Sequence, residues 1–272
     1  MISAGSVPRV SSESARVPAD RHEFLWQAGR YDVPAEVFVR HLAGLVLEHA
    51  PTAFAASECR NRRLVRLLRA QLGSDYVVRR RHEYLCGWRR DQLRARGPMR
   101  LWSVSGVRYW MLGRRQRLFL VAAQGFASRG SGRRWRLELG HAPSGVDGGG
   151  RWRTGALPGR VEAAKQGWRA WGRRGRRYLR RHPDRYLVRM FDGNLHLGSA
   201  RWDHYLAVML DGATVWRRRP PLRGTHGGRV IDAGQVAAGE EAAVRVTSAQ
   251  VLGGELPAGV DHRPVLFGLV VR

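Results

Sequence analysis

The sequence predicts an α/β protein, and three observations carry that prediction. Short apolar runs of strand length alternate with segments whose apolar residues recur at helical spacing. Five of the runs deliver, at their ends, a residue able to bind a metal ion or move a proton: Glu58, His141, Asp192 with Asn194, Asp232, and Asp261 with His262. The chain has 272 residues, 43% of them hydrophobic and 10 of them Trp, which suffices for one large core or two small ones.

In chain order, residues 1–20 hold Ser, Ala, Pro and Arg without periodicity and without an apolar stretch. They predict a disordered tail, not a signal peptide, ahead of a domain over 21–272. Phe24, Leu25 and Trp26 read as a short strand ending in Gln27. Asp32, Pro34 and Glu36 then mark a helix start, and Phe38, Leu42, Leu45 and Val46 repeat at helical spacing as far as His49. Pro51 stops that helix, and Ala53 to Ser57 reads as a buried strand delivering Glu58. Asn61 to Leu72 is an amphipathic helix with Leu64, Leu67 and Leu68 inside and arginines outside. Strands follow at Tyr76–Val78, Tyr84–Trp88, Leu101–Val104, Arg117–Ala123 and Arg134–Leu139, with Gly148 to Gly150 in a loop. Arg160 to His182 reads as a helix with Val161, Ala164, Trp168, Trp171 and Leu179 towards the core, although Gly172 and Gly175 are poor helix formers. Tyr186 to Phe191 is a strand, Arg201 to Leu210 a second short helix, Gly224 to Gly228 a loop, and Val265 to Val271 the closing apolar run.

Charge is the loudest bulk property: 48 basic against 22 acidic residues, net +26, with Lys165 the one lysine. Such a field attracts polyanions, nucleic acid first and anionic membrane second. No apolar run approaches the ~20 residues that span a bilayer. Cys59 and Cys86 lack disulfide-framework or metal-ligand spacing and fit buried thiols in a reducing cytoplasm.

Chemistry concentrates at the run ends. Asp192-Gly193-Asn194 puts a carboxylate and a carboxamide two apart, on one side of an extended chain. An acid that holds a proton or a water, beside an amide that donates to an anionic oxygen, suits phosphate esters. Ordinary β-turns use the same letters, so the weight comes from the other run ends. Their carboxylates and amide oxygens suit Mg²⁺ or Mn²⁺.

These segments, taken in order, resemble the endonuclease/exonuclease/phosphatase superfamily over nearly the whole chain after the tail. Ala56-Ser57-Glu58 is similar to its first acidic motif, Glu83 to Arg90 to a strand whose acid supports a histidine, and Leu139 to Ser144 to the segment with that histidine. Phe191-Asp192-Gly193-Asn194 resembles its Asp-x-Asn motif, Gly224-Thr225-His226 through Asp232 the next, and Val260 to Pro264 the closing Asp-His motif. Gln27 stands where the family has Asn, Phe191 where it has Gly, Val260 where it has Ser, and His196 where an Asp often follows.

The resemblance implies two mixed β-sheets packed face to face, with helices outside and the site at one edge. It implies phosphodiester hydrolysis, with His262 as general base oriented by Asp232 and Asp192 helping to position the water. Glu58, Gln27 and Asp261 would hold Mg²⁺. Asn194 and His141, the latter backed by Glu83, would donate to phosphoryl oxygens. The charge adds nucleic acid as partner, DNA ahead of RNA, with little sequence specificity. The alternatives are a catalytically weakened nucleic-acid-binding member and a phosphatase for small phosphate esters or phosphoinositides.

Overall fold

The computed structural model describes residues 20–29, 32–111, 114–148, 151–153, 159–196, 214–215, 225–226 and 231–272. The expected tail up to residue 19 and the expected helix over 201–210 lie outside them.

Two six-stranded sheets stack face to face. The first runs β13(Val244–Val251)-β14(Val265–Val271)-β1(Asp20–Ala28)-β2(Ala53–Ser57)-β4(Tyr84–Arg89)-β3(Tyr76–Arg81). The second runs β11(Thr214–Val215)-β12(Asp232–Ala238)-β10(Arg185–Asp192)-β9(Arg134–His141)-β8(Leu120–Ser128)-β5(Leu93–Ser103). A hairpin of β6(Arg108–Met111) and β7(Arg114–Arg117) stands apart. Each large sheet is mixed in the same way: one parallel pair, β1 with β2 and β10 with β9, is flanked by antiparallel neighbours. This is the sandwich expected from the motifs.

Central strands are buried on both faces, which explains their unbroken apolar runs. On β1, Phe24 and Trp26 point between the sheets while Leu25 points to the helices outside; on β2, Ala53 and Ala55 point in and Phe54 and Ala56 out. Helices α1(Ala35–His49) and α2(Arg63–Leu72) cover the outer face of the first sheet through Phe38, Leu42, Val46, Leu64 and Leu68. Helix α3(Arg160–Arg180) covers the second through Ala164, Trp168 and Trp171, packed on Phe119 and Phe191. Each fully buried Leu or Phe stabilises the fold by about 1.5–3 kcal/mol relative to exposure.

Several boundaries differ from expectation. Asp20, counted with the tail, begins β1. β5 starts at Leu93, eight residues before the expected strand, because Gly97-Pro98 reads as a turn but is an irregularity in the ladder with β8 between Arg96 and Arg100. Pairing on the two sides of that irregularity holds the whole stretch extended. β8 is shifted to Leu120–Ser128, and the hairpin β6–β7 went unread.

Candidate active site

Register brings the second sheet's chemistry to one end of the sandwich. His141 on β9 pairs with Asp192 on β10, and Asp192 pairs in turn with Asp232 on β12, so the three stand abreast. The first sheet contributes Glu58 immediately after β2, Glu83 immediately before β4, and Asp261-His262 in the connection to β14.

Asp232 is fully committed. Its Oδ1 accepts the Trp26 indole N–H across the sandwich at 2.9 Å, and its Oδ2 faces His262 Nδ1 at 2.7 Å. Its own backbone N–H and that of Ile231 donate to Thr225 Oγ1. With Nδ1 held by Asp232, His262 turns Nε2 towards Asp192 Oδ2 and Asp261 Oδ1, each 3.9 Å away. Burial alone lowers the His262 pKa, but Asp232, then Asp192 and Asp261, outweigh it and raise it to about 9. Asp192 is buried, and burial followed by the nearby Asp232 charge lifts its carboxyl above the usual range.

A second group centres on His141. Its Nδ1 lies 3.6 Å from Glu83 Oε1, and its Nε2 lies 3.6 Å from Glu58 Oε1 and 3.7 Å from Asp192 Oδ2. Burial opposes its charge, but the Glu83 contact and the fields of Asp192 and Glu58 raise its pKa to about 10. Burial would raise Glu83; His141 and Arg60 overcome it and hold the carboxyl at about 2. Glu58 goes the other way: burial lifts its pKa, Glu83 adds to the rise and His141 opposes it. Glu58 also sits at φ 57, an uncommon left-handed conformation for a non-glycine residue.

Asn194, likewise at positive φ (48), donates its backbone N–H to Asp192 Oδ1 and its Nδ2 to the Ala142 carbonyl. One N–H of the amide is therefore spent on β9's continuation, and the second meets no acceptor among the described residues and could serve a ligand. Gln27 is completely buried. Its Nε2 donates to the Ala28 and His262 carbonyls at 2.6 and 2.9 Å, and its Oε1 faces His41 Nε2 at 3.3 Å. As a direct metal ligand it would have to exchange His41 for the ion; as it stands, it fixes the His262 backbone.

Sequence reading gave no role to four participants. His226 stacks on His262 with ring centroids 4.6 Å apart, its Nδ1 3.6 Å from Asp261 Oδ2. Arg60 pairs with Glu83 at 3.0 Å, Trp26 anchors Asp232, and His41 meets Gln27. Only His226 lay inside a quoted motif; the others are joined by contacts that spacing does not encode.

The donor set suits a divalent cation. Ligand atoms of His226, Asp261 and His262 lie within 4.8 Å of one another, as do those of Asp192, Asp232 and His262. Several carboxylates converge here in a chain of net charge +26. Asp232 already accepts from Trp26 and faces His262 with its two oxygens, so the carboxylates of Glu58, Asp192 and Asp261 are the less committed candidates for an ion.

Two mixed six-stranded sheets in this order, with polar strand ends gathered at one edge, have the fold of the endonuclease/exonuclease/phosphatase superfamily. A Bacteroides thetaiotaomicron protein of that family matches with TM-score 0.62 at 13% identity, over 93% of this chain and 99% of its own. D. rerio TDP2 complexed with single strand DNA product matches with TM-score 0.63 at 11% identity, over 92% and 98%. The B. thetaiotaomicron mannosyl-6-phosphatase Bt3783 matches with TM-score 0.64 at 12% identity, over 91% and 99%. No protein-family model and no curated protein matches in sequence.

Proposed function

We propose that the chain is a divalent-metal-dependent phosphodiester hydrolase acting on nucleic acid with little sequence preference. The observation that carries this reading is the Asp232–His262 pair, 2.7 Å apart, with Nε2 turned towards buried Asp192. Asp232 fixes the tautomer and stabilises the imidazolium of His262. Once Nε2 has lost its proton, a step that the raised pKa of about 9 moves towards alkaline pH, it takes one from an attacking water and holds it. Asp192 Oδ2 faces the same space and orients that water. His141, kept protonated by Glu83, Asp192 and Glu58, donates to a phosphoryl oxygen as charge grows there, and the second N–H of Asn194 adds another donor. Glu58 and Asp261 would hold the metal ion. A bound divalent ion supplies Lewis-acid stabilisation of the phosphoryl oxygens. Gln27 and His226 position His262, one through its backbone and the other against its ring.

The phosphodiester class rests on this geometry, and the choice of nucleic acid rests on net charge +26. One structure of the same fold holds single strand DNA product, while another is a sugar phosphatase, so fold alone does not choose. Gln27, whose amide is spent on protein groups, favours one second reading: a nucleic-acid-binding member with weakened turnover.

Plasmid DNA incubated with Mg²⁺ or with EDTA separates the two, and phosphate release from small monoesters tests the phosphatase alternative. His262→Asn is expected to remove nearly all cleavage while leaving binding intact, and Asp232→Asn to remove much of it. Wild-type cleavage rates in both variants would make the pair structural.

A further inference from the structure

We infer that the arginines along the β3/β5 edge of the sandwich form a docking track for a nucleic-acid phosphate backbone, leading away from the active-site rim. The inference rests on the nucleic-acid half of the proposed function, and none of its residues belongs to the proposed chemistry.

β3 is the edge strand of the first sheet and β5 of the second. Two recesses flank that edge and share Gly97 and Pro98. The first, about 720 Å³, lies between α2, β3 and β5 and is lined by four arginines, Arg80 among them. Arg80 donates to the carbonyls of Cys59, Arg60 and His82, which fixes it beside Glu58 at the site's rim. The second, about 320 Å³, opens over the outer face of β5, β8 and β9 beside α3 and is lined by six arginines. At the junction Gly97 takes φ +77, and its carbonyl accepts from both Arg79 and Gln124. The bulge thereby ties the two sheet edges together where the recesses meet at Gly97 and Pro98.

Among the described residues no acidic one lines either recess, although the chain has 22 to set against 48 basic ones. Two arginines of the second recess do have carboxylate neighbours: Arg136 pairs with buried Glu138 at 2.8 Å, and Arg185 lies 3.7 Å from Asp184. Arg96, Arg100, Arg134 and Arg174 have no carboxylate partner among the described residues. Charges are also crowded: Arg174 and Arg136 both lie over the Trp102 ring, at 4.3 and 4.9 Å. A concave cluster of guanidinium groups, four of its six without a carboxylate partner among the described residues, is a site for phosphate oxygens.

Extent and composition favour a nucleic acid over a lipid surface. The part of β5 that lines the recesses, residues 96 to 102, spans roughly 23 Å, about seven base pairs of duplex. The exposed large hydrophobic among the described residues is Leu47, on α1 and outside the track, so the track offers nothing to insert into a bilayer. Trp102 and Tyr178 are already covered by guanidinium groups, which leaves phosphate contacts and no base reading.

The test compares wild type with the triple variant Arg96→Gln/Arg100→Gln/Arg134→Gln. Binding of a fluorescent 30-base-pair duplex is measured by anisotropy in EDTA across a salt series, and turnover of bis(4-nitrophenyl) phosphate is measured with Mg²⁺. The expected result is a salt slope shallower by roughly 0.9 for each lost contact and about tenfold or more weaker binding at low salt. Small-diester turnover stays at the wild-type rate, and Lys at the same three positions restores most of the slope. Equal slopes and affinities in wild type and triple variant overturn the track, as does tighter binding of the wild type to phosphatidylserine vesicles than to duplex. If neither protein turns over the small diester, the catalytic reading falls, while the anisotropy comparison still decides the track.

Discussion

At the scale of single residues, burial decides which groups keep their protons. His22 shows it away from the site. It is 5% exposed, set edge-on to Trp135 at 4.6 Å and 3.3 Å from Ser128 Oγ. Burial lowers its pKa from 6.5 to about 4 despite the opposing field of Asp20. Between those values the unfolded chain takes up a proton that the folded chain refuses. His22 therefore destabilises the fold progressively as pH falls from 6.5 to 4, by up to about 3 kcal/mol, and contributes no pH dependence above 6.5. Urea titrations of wild type and His22→Gln across this range check it: the variant's stability is expected to fall less steeply, and parallel curves would refute the assignment. At the site the same forces run the other way, since Asp232 stands close enough to His262 to reverse the effect of burial.

At the scale of elements, the glycines of α1 and α3 separate helix propensity from packing. Gly44 on α1 is exposed, with open space where a Cβ would lie. Gly44→Ala is expected to stabilise the protein by about 0.5–1 kcal/mol. Gly175 on α3 carries the same propensity penalty, yet a Cβ there would meet Arg189 Nη2 at 2.2 Å and Leu187 at 3.0 Å. Arg189 cannot swing aside. It is buried and donates to Glu138, Gln235 and the Trp171 carbonyl. Gly175→Ala should thus destabilise by roughly 1–3 kcal/mol, overpacking outweighing the gain in propensity. Chemical denaturation of the two variants gives opposite signs if this account is right. Gly175, a poor helix former in the sequence, is what lets α3 lie against Leu187 and Arg189 of β10.

At the scale of the whole molecule, the site exists because two sheets meet. Trp26 reaches from β1 to Asp232 on β12, and Glu58 and Glu83 of the first sheet face His141 of the second. A divalent ion held by Glu58 and Asp261 would join the end of β2 to the approach to β14. Mg²⁺ at about 100 times its Kd adds about 2.7 kcal/mol to folding stability. For a chain of this size that raises Tm by roughly 5–10 °C. Calorimetry of wild type and Glu58→Gln with Mg²⁺ and with EDTA checks this. The rise should be present in the first and largely absent in the second, and a wild-type Tm indifferent to Mg²⁺ would remove the metal from the site.

How much was legible follows from what each signal depends on. β2 and the run of β14 were read to the residue, and α1 and β9 nearly so, because burial on a fixed face imposes a period of two or 3.6 that the letters must obey. The order of the polar run ends, from Glu58 to His262, is also a property of the sequence, and with the motif resemblance it pointed to one site at the edge of a sandwich. β5 was half missed, since a Gly-Pro pair signals a turn unless strands on the far side hold it open. The sequence likewise had no means of choosing partners. Gln27 carries the amide of a ligand, but only the packed fold decides that it serves the His262 carbonyl and His41. Arg96 and Arg80 are two letters among many arginines until β3 and β5 become neighbouring edges of stacked sheets. Periodicity is local and written along the chain, whereas hydrogen-bond partners, pKa shifts and the merging of charges into one face depend on distances that folding alone creates.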